Sequence, residues 1–303
     1  MQAVILAAGS GKRLHPLTAN RSKAMIPVAG VPIVGRVIKE IINLGITDLI
    51  VVIKPDDDDL RSYLSDTFSE HAVIQTSIQT QPLGMGDALK QASPRIKEPF
   101  LLSACDNLFS PEDFAKFISR YRDETDLVGL LSLVAVKPEQ IPHTAIVELE
   151  GDRVAAIREK PDPSSVTSRI ASTPLYIFSP ALISHLDGLT RSRRGEFELQ
   201  DAVSSLIQSG AKVKGCLLSG RKTLTSPEDL DELTTQFLKL AEQQGRLPEH
   251  PDFPGVEIHP PVLIESDVWI DPGCVIGPYV YLESGVHVQS GTRIREGCLL
   301  RND

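Results

Sequence analysis

Branched aliphatic residues recur every six positions near the carboxyl end: Ile258, Ile264, Ile270, Ile276, Leu282, Val288, Ile294 and Leu300. A period of six fits neither an amphipathic helix nor an alternating strand. It predicts a short strand plus a corner in each repeat, the pattern of a parallel β-helix. A second set, Val262, Val268, Cys274, Val280, Val286, Thr292 and Cys298, falls four residues after the aliphatic positions and is uniformly small. Large and small inward positions together fill a narrow prism. A hairpin sandwich would need apolar residues at every second position, and the hexads do not sustain that alternation.

Upstream, short β-rich runs alternate with helical patterns: residues 3–7 then 33–44, 49–53 then 58–66, 72–76 then 85–92, and 100–104 then 111–122. That order predicts an α/β domain with a mostly parallel sheet and helices on both faces. Glu150-Gly151-Asp152, between two apolar pairs, reads as a hairpin turn and inserts a small antiparallel section midway. Ser226-Pro227-Glu228-Asp229 carries an N-cap, a first-turn proline and acids that suit a helix dipole, followed by Leu230, Leu233, Phe237 and Leu240. The helix is expected to reach about Gly245, and Pro248, Pro251 and Pro254 then break the chain before the hexads. The expected domains are therefore residues 1–245, a Pro-rich linker over 246–257, and the repeat domain over 258–303.

Composition narrows the function classes. The 303 residues are 41% apolar and 23% charged, and the net charge of −9 argues against a general affinity for nucleic acid or anionic membrane. The longest apolar run, residues 127–136, is ten residues long and is interrupted by Gly129 and Ser132, well short of a membrane span. Residues 1–9 lack the basic start of a secretion signal. The four cysteines form no CxxC pair, and a reducing cytoplasm is the simplest compartment.

Candidate chemistry begins at Gly9-Ser10-Gly11, where a buried strand runs into residues whose missing side chains let backbone N–H groups approach phosphate, with Lys12 and Arg13 adding charge. Alone, such a turn is equally well a tight connection. The longer stretch from Leu6-Ala7-Ala8-Gly9 to Thr18, continuing through Arg21-Ser22-Lys23 to Pro27-Val28-Ala29-Gly30-Val31-Pro32-Ile33, resembles the signature of the sugar-1-phosphate nucleotidyltransferases, including glucose-1-phosphate thymidylyl- and uridylyltransferases. Gln81-Pro82-Leu83-Gly84 is similar to the family's base-reading loop, Cys105-Asp106-Asn107 to its metal-binding strand end, and Glu159-Lys160-Pro161 to its sugar-phosphate motif. Residues 194–201 and 226–230 complete the order. The resemblance covers essentially the whole chain, since many members carry a carboxy-terminal left-handed β-helix.

The resemblance implies a Rossmann-like, doubly wound domain and a short left-handed β-helix that mediates assembly into a homo-oligomer. It implies transfer of a nucleotidyl group from a nucleoside triphosphate to a sugar 1-phosphate, giving a nucleotide sugar and pyrophosphate, with Mg²⁺. Arg13, Lys23 and Asp106 would act in catalysis, Asp106 as the metal ligand. Leu6, Ala8, Gly9, Gly11, Gln81 and Gly84 would bind the nucleotide, and Glu159 and Lys160 the sugar phosphate. Ala7-Ala8-Gly9 in place of alanine and two glycines leans towards dTTP or UTP. No nucleic acid or membrane partner is expected.

The departures from the pattern bear on activity. Thr223 stands where a second metal-binding aspartate is expected and Arg221 where tryptophan is common. A neutral hydroxyl is a poorer ligand for Mg²⁺ than a carboxylate. Thr144-Ala145 replaces tyrosine-glycine, and Ser172-Thr173-Pro174 replaces an element ending in glycine, so a ligand-facing N–H is lost at Pro174. The rival reading is a weak or inactive homologue that binds nucleotide sugar and regulates.

Three features read as structure. Asp56-Asp57-Asp58-Asp59 marks a helix start with solvated acids rather than a metal site. His259 and His287 within the hexads suit a structural coil better than acyl transfer, because the repeats span little more than two turns. The sequence ends at Asp303 just after Leu300, which leaves an open coil end to be capped or paired, or else marks a cut sequence.

Overall fold

The structure, a computed structural model, describes residues 1–301. The chain forms two compact units, one from residues 1–10 and 34–222 and the other from residues 11–33 and the chain from Thr223 onward.

The first unit is built on nine strands: β1 (Gln2–Leu6), β2 (Asp48–Ile53), β3 (Val73–Ile78), β4 (Phe100–Ala104), β5 (Gly129–Ala135), β6 (Ala145–Glu150), β7 (Arg153–Glu159), β8 (Ile170–Phe178) and β9 (Val213–Leu217). Their order across the sheet is β3-β2-β1-β4-β8-β5-β9-β7-β6. β1 is buried along its whole length, as a strand covered on both faces must be, which is why residues 3–6 read as an unbroken apolar run after Gln2, whose side chain donates to Asp48 Oδ2 at 3.0 Å. The first four strands are parallel.

The sheet is mixed but mostly parallel: seven of its nine strands run in one direction, and β7 and β8 run against them. β8 runs antiparallel to β4 and β5, and β7 runs antiparallel to β9 and β6, whereas β9 is parallel to β5. The cause is the connections. A parallel neighbour needs a long crossover, and between β5 and β8 the chain has only 3-10 turns, Pro138–His143 and Pro163–Ser165, and the hairpin at Gly151. The register of β8 shifts between Ser172 and Tyr176, at Pro174, which has no N–H to give the ladder.

The helices are α1 (Ile33–Asn43), α2 (Asp58–Phe68), α3 (Met85–Ala92), α4 (Pro111–Arg122), α5 (Leu199–Gln208) and α6 (Pro227–Gln243). α2 begins within the aspartate run, with Asp58 and Asp59 in its first turn, as read from the sequence. Ala88 and Leu89 of α3 and Ala202 and Val203 of α5 share one apolar cluster with Val4, Val52, Leu102 and Phe178. α5 leads into β9, which supplies the crossover that makes β9 parallel to β5.

In the second unit the hexads form parallel pairs at a spacing of three repeats: Glu257 with Val275 and then Arg293, Val262 with Val280, and Trp269 with His287. Three short sheets therefore line a coil whose interior holds Ile264, Ile276, Leu282, Val288 and Ile294 with the small Val262, Cys274, Val280 and Val286. Corners need left-handed backbone, and Gly255, Gly273 and Gly291 supply it in one column at φ +74, +84 and +76. His259 and His287 lie on the outside, 3.1 Å from Glu257 and Asp271 respectively.

The same unit holds a two-residue hairpin, Pro27–Val28 paired with Val31–Pro32, turned by Ala29 and Gly30, both at positive φ. α6 starts at the predicted cap: the Ser226 hydroxyl accepts from Asp229 N–H, and the Asp229 carboxylate accepts from Ser226 N–H at 2.8 Å. It ends at Gln243, with Gly245 at φ +60 just beyond.

Candidate active site

β1 ends at Leu6. Ala7 N–H donates to Val52 O at 2.8 Å, and Ala8 is still buried, so the backbone leaves the sheet only at Gly9. Gly9 and Ser10 are exposed, and a Cβ added at Gly9 meets no described atom within 4 Å. Such open backbone leaves room for an anion to approach peptide N–H groups.

Gly11, in the second unit, is closed in. A Cβ there would lie 2.8 Å from Thr18 Cγ2 and 3.1 Å from Lys23 Cβ, at φ +61. Thr18 Oγ1 and Leu14 N–H both donate to Gly11 O, at 3.1 and 2.9 Å. Glycine thus lets the root of Lys23 pack against the turn. Arg13 is exposed within the 3-10 turn Lys12–Leu14.

Gln81 is exposed, and its loop is held by a residue that sequence reasoning passed over. Gln79, buried, donates through Nε2 to Gly84 O at 3.0 Å and to Asp87 Oδ2 at 2.7 Å. Gly84 has φ +100, and a Cβ there would sit 2.7 Å from Phe197 O. Phe197 N–H donates to Leu83 O at 2.7 Å. The loop that the sequence assigns to the base is therefore clamped to the segment around Phe197.

Cys105 N–H donates to Leu6 O at 3.1 Å, which sets the end of β4 beside the end of β1 and leaves Asp106 half-buried next to them. Asn107, 1% exposed, accepts from Arg221 Nη1 at 3.0 Å. Desolvation pulls the Arg221 pKa down although the residue keeps an exposed edge, and Asp106 and Tyr176 oppose that shift. Thr223 Oγ1 lies 3.3 Å from Thr225 Oγ1 in the second unit.

At the sugar-motif end, Glu159 Oε1 is 3.6 Å from Lys160 Nζ and 3.4 Å from Arg194 Nη2. Arg194 also holds Glu198 Oε1 at 2.7 Å, where Ser192 Oγ donates as well. Burial pushes the Glu159 carboxyl above the usual range, and Glu198 adds to the rise against Lys160 and Arg194. Lys160 has φ +43, and its N–H donates to Thr144 O at 3.1 Å. Tyr176 joins the two ends: its hydroxyl is 3.3 Å from Ser172 Oγ, burial lifts it to about 12, and it interacts electrostatically with both Glu159 and Arg221. Arg194, Glu198, Tyr176 and Arg221 were not named as site residues; the first two lay in a recognised motif, Tyr176 stands two residues after Pro174 of the altered sugar-pocket element, and Arg221 was marked only as a departure from a common tryptophan.

Among the described residues no group of three His, Cys, Asp or Glu could cage a metal ion. Asp106 offers a carboxylate, and the Arg221 guanidinium interacts with it electrostatically. That fits a hard cation taking most of its ligands from substrate phosphates and water, which needs only one or two protein carboxylates.

Residues 2–275 match the nucleotidyl transferase family, and residues 261–296 match the bacterial transferase hexapeptide repeat. The chain belongs to the nucleotidyl transferase family. The bifunctional protein GlmU of Methanococcus maripaludis is 32% identical over 240 residues, covering 78% of this chain and 54% of that protein. The chain therefore spans about half the length of that relative. The UTP–glucose-1-phosphate uridylyltransferase AglF of Haloferax volcanii is 30% identical over 233 residues, 77% of this chain and 94% of that one. The crystal structure of apo UDP-glucose pyrophosphorylase superposes with a TM-score of 0.71 at 19% identity, over 79% of this chain and 99% of that one, a likeness of fold.

Proposed function

We propose that this nucleotidyl transferase joins a nucleoside triphosphate to a sugar 1-phosphate. An oxygen of the sugar phosphate attacks the α-phosphorus, the new P–O bond forms in line, and the bond to the β-phosphate breaks so that pyrophosphate leaves with its electron pair. The attacking group is already anionic, so the protein's task is to overcome repulsion between phosphates and to hold them aligned. The observation that carries the reading is the packing of Lys23 against Gly11, which couples the glycine turn to a cation that the resemblance places in catalysis.

In this reading Leu6, Ala8, Gly9 and Gly11 cradle the nucleotide, Gln81 and Gly84 meet the base, and Arg13 and Lys23 neutralise the triphosphate. Lys160 grips the sugar phosphate and Glu159 accepts from sugar hydroxyls. Asp106 would hold Mg²⁺, which when bound neutralises charge on the phosphate oxygens. The pyrimidine lean of Ala7-Ala8-Gly9 gains support from AglF, whose name specifies UTP. The resemblance also supports a doubly wound sheet, a left-handed coil, functional domains of residues 1–245 and 258–303, assembly through the coil and work in the cytoplasm. Among the described residues no helix is long and apolar enough to cross a membrane.

The test is pyrophosphate release with Mg²⁺ across the four ribonucleoside triphosphates and dTTP, each with glucose, mannose, galactose and N-acetylglucosamine 1-phosphates. Saturable, sugar-dependent release names both substrates. Binding of a nucleotide or nucleotide sugar by calorimetry without release from any pair would instead support the regulatory reading.

A further inference from the structure

The eighteen-residue repeat of the coil stacks Glu265, Glu283 and Arg301 in one column. Each follows a residue of the same sheet, Ile264 paired with Leu282 and Leu282 with Leu300, and the backbone bonds Glu265 N–H to Leu282 O (3.0 Å) and Glu283 N–H to Leu300 O (2.9 Å) fix the register. Two acids on adjacent turns repel one another, and each is compensated separately. Glu265 accepts from the Tyr281 hydroxyl at 2.6 Å and from Ser284 N–H at 3.0 Å.

Glu283, 7% exposed, faces two cations. Arg301 Nε lies 3.3 Å from its Oε2 as an ion contact without hydrogen-bond geometry. The other cation is Arg21, whose Nη1 donates to Oε1 at 2.6 Å. A desolvated carboxylate in such a place is costly unless it is paired.

Arg21 is not part of the coil. It lies two residues before Lys23 and ten after Gly11. The 3-10 turn that follows Arg21 and begins at Lys23 is closed by Met25 N–H to Ser22 O at 3.0 Å and Ile26 N–H to Lys23 O at 3.2 Å. The hairpin that follows lands on the same column: a Cβ added at Gly30 would lie 3.1 Å from Leu263 Cδ2 and 3.4 Å from Glu265 Oε1. The segment that carries Arg13 and Lys23 is thus held at two points on the hexad coil, one ionic and one steric. α6 is braced on the coil as well, with Lys239 Nζ 4.8 Å above the Tyr279 ring.

We propose that the Glu265–Glu283–Arg301 column is the seat of the phosphate-binding segment, and that Arg21 and Glu283 are positioning residues that set Lys23 for the nucleotide. The coil then acts within its own chain on substrate binding. The assignment of Lys23 to the nucleotide rests on the function proposed above; the seating of residues 11–33 does not.

The experiment compares Glu283→Gln, Arg21→Gln and the double variant with the parent, using His287→Ala on another sheet of the coil as control. Each single change is expected to raise the KM for the triphosphate by about tenfold, the worth of one charge-assisted hydrogen bond, with the sugar-phosphate KM unmoved. The double variant is expected to cost no more than either single one. Amide hydrogen exchange at Leu14, Met25 and Ile26 should quicken in all three and stay at parent values in His287→Ala. Should Glu283→Gln unwind the coil, Arg21→Gln decides, since its change lies outside the repeats. Parent-like KM and parent-like exchange in Arg21→Gln overturn the proposal. A parent without turnover counts against the enzyme reading alone, because exchange and nucleotide calorimetry still read the seat.

Discussion

Arg221 donates from Nη1 to Asn107 Oδ1 at 3.0 Å, and so fixes a guanidinium beside the residue that follows Asp106. A positive charge there opposes a second cation on the same carboxylate. Arg221→Gln is therefore expected to tighten Mg²⁺ binding to the protein about fivefold, for a screened interaction of order 1 kcal/mol. Calorimetric titration of the substrate-free protein reads this directly, and an unchanged affinity would place Arg221 too far from the ion to matter.

Thr223 offers an alcohol where a second carboxylate would be expected. Thr223→Asp should lower the Mg²⁺ concentration needed for half-maximal pyrophosphate release, because hard cations favour anionic oxygen. A rate measured across Mg²⁺ concentrations shows whether the curve moves left. If it does not, the present arrangement already satisfies the ion.

The two loop glycines should fail differently. Gly11→Ala brings a Cβ to 2.8 Å from Thr18 Cγ2 at φ +61, so the expected cost is about 1–2 kcal/mol of stability, with a rise in nucleotide KM as Lys23 is displaced. Gly9→Ala has open space and should leave the melting temperature unchanged. Any loss of nucleotide affinity in Gly9→Ala then reports crowding of the ligand itself.

Glu159 gives a pH signature. Its folded pKa is raised by burial, so the folded state binds this proton more tightly than the unfolded chain does. Stability should fall as pH rises from the ordinary carboxylate range through the raised value, and the loss is complete above it. Denaturation midpoints across pH should show this slope in the parent and a flatter curve in Glu159→Gln.

The hexads were legible because core filling in the coil is local: each aliphatic residue meets those one turn away, and the period alone reveals it. The first parallel strands were legible because burial on both faces favours apolar runs such as residues 3–6 of β1. The direction of β8 was not, since it follows from the absence of a crossover helix rather than from any residue within the strand. Candidate site residues appeared where a motif is contiguous, as at Glu159-Lys160. Gln79, Tyr176 and Arg221 lie beside marked segments, but they act through partners brought near by the fold, and no motif gives their roles. Arg21 and Glu283, 262 positions apart, are the extreme case.

The coil obeys two rules of length at once. Its apolar interior is indifferent to the gain or loss of a single hexad, because every sixth residue still points inward. The column under Arg21 is not, because one hexad moves Glu283 to the next sheet. A six-residue deletion upstream of Glu283 would leave a well-filled coil whose carboxylate faces the wrong way, whereas an eighteen-residue change would restore both. Lineages that lengthen or shorten this coil and keep the seat are thus constrained to whole turns.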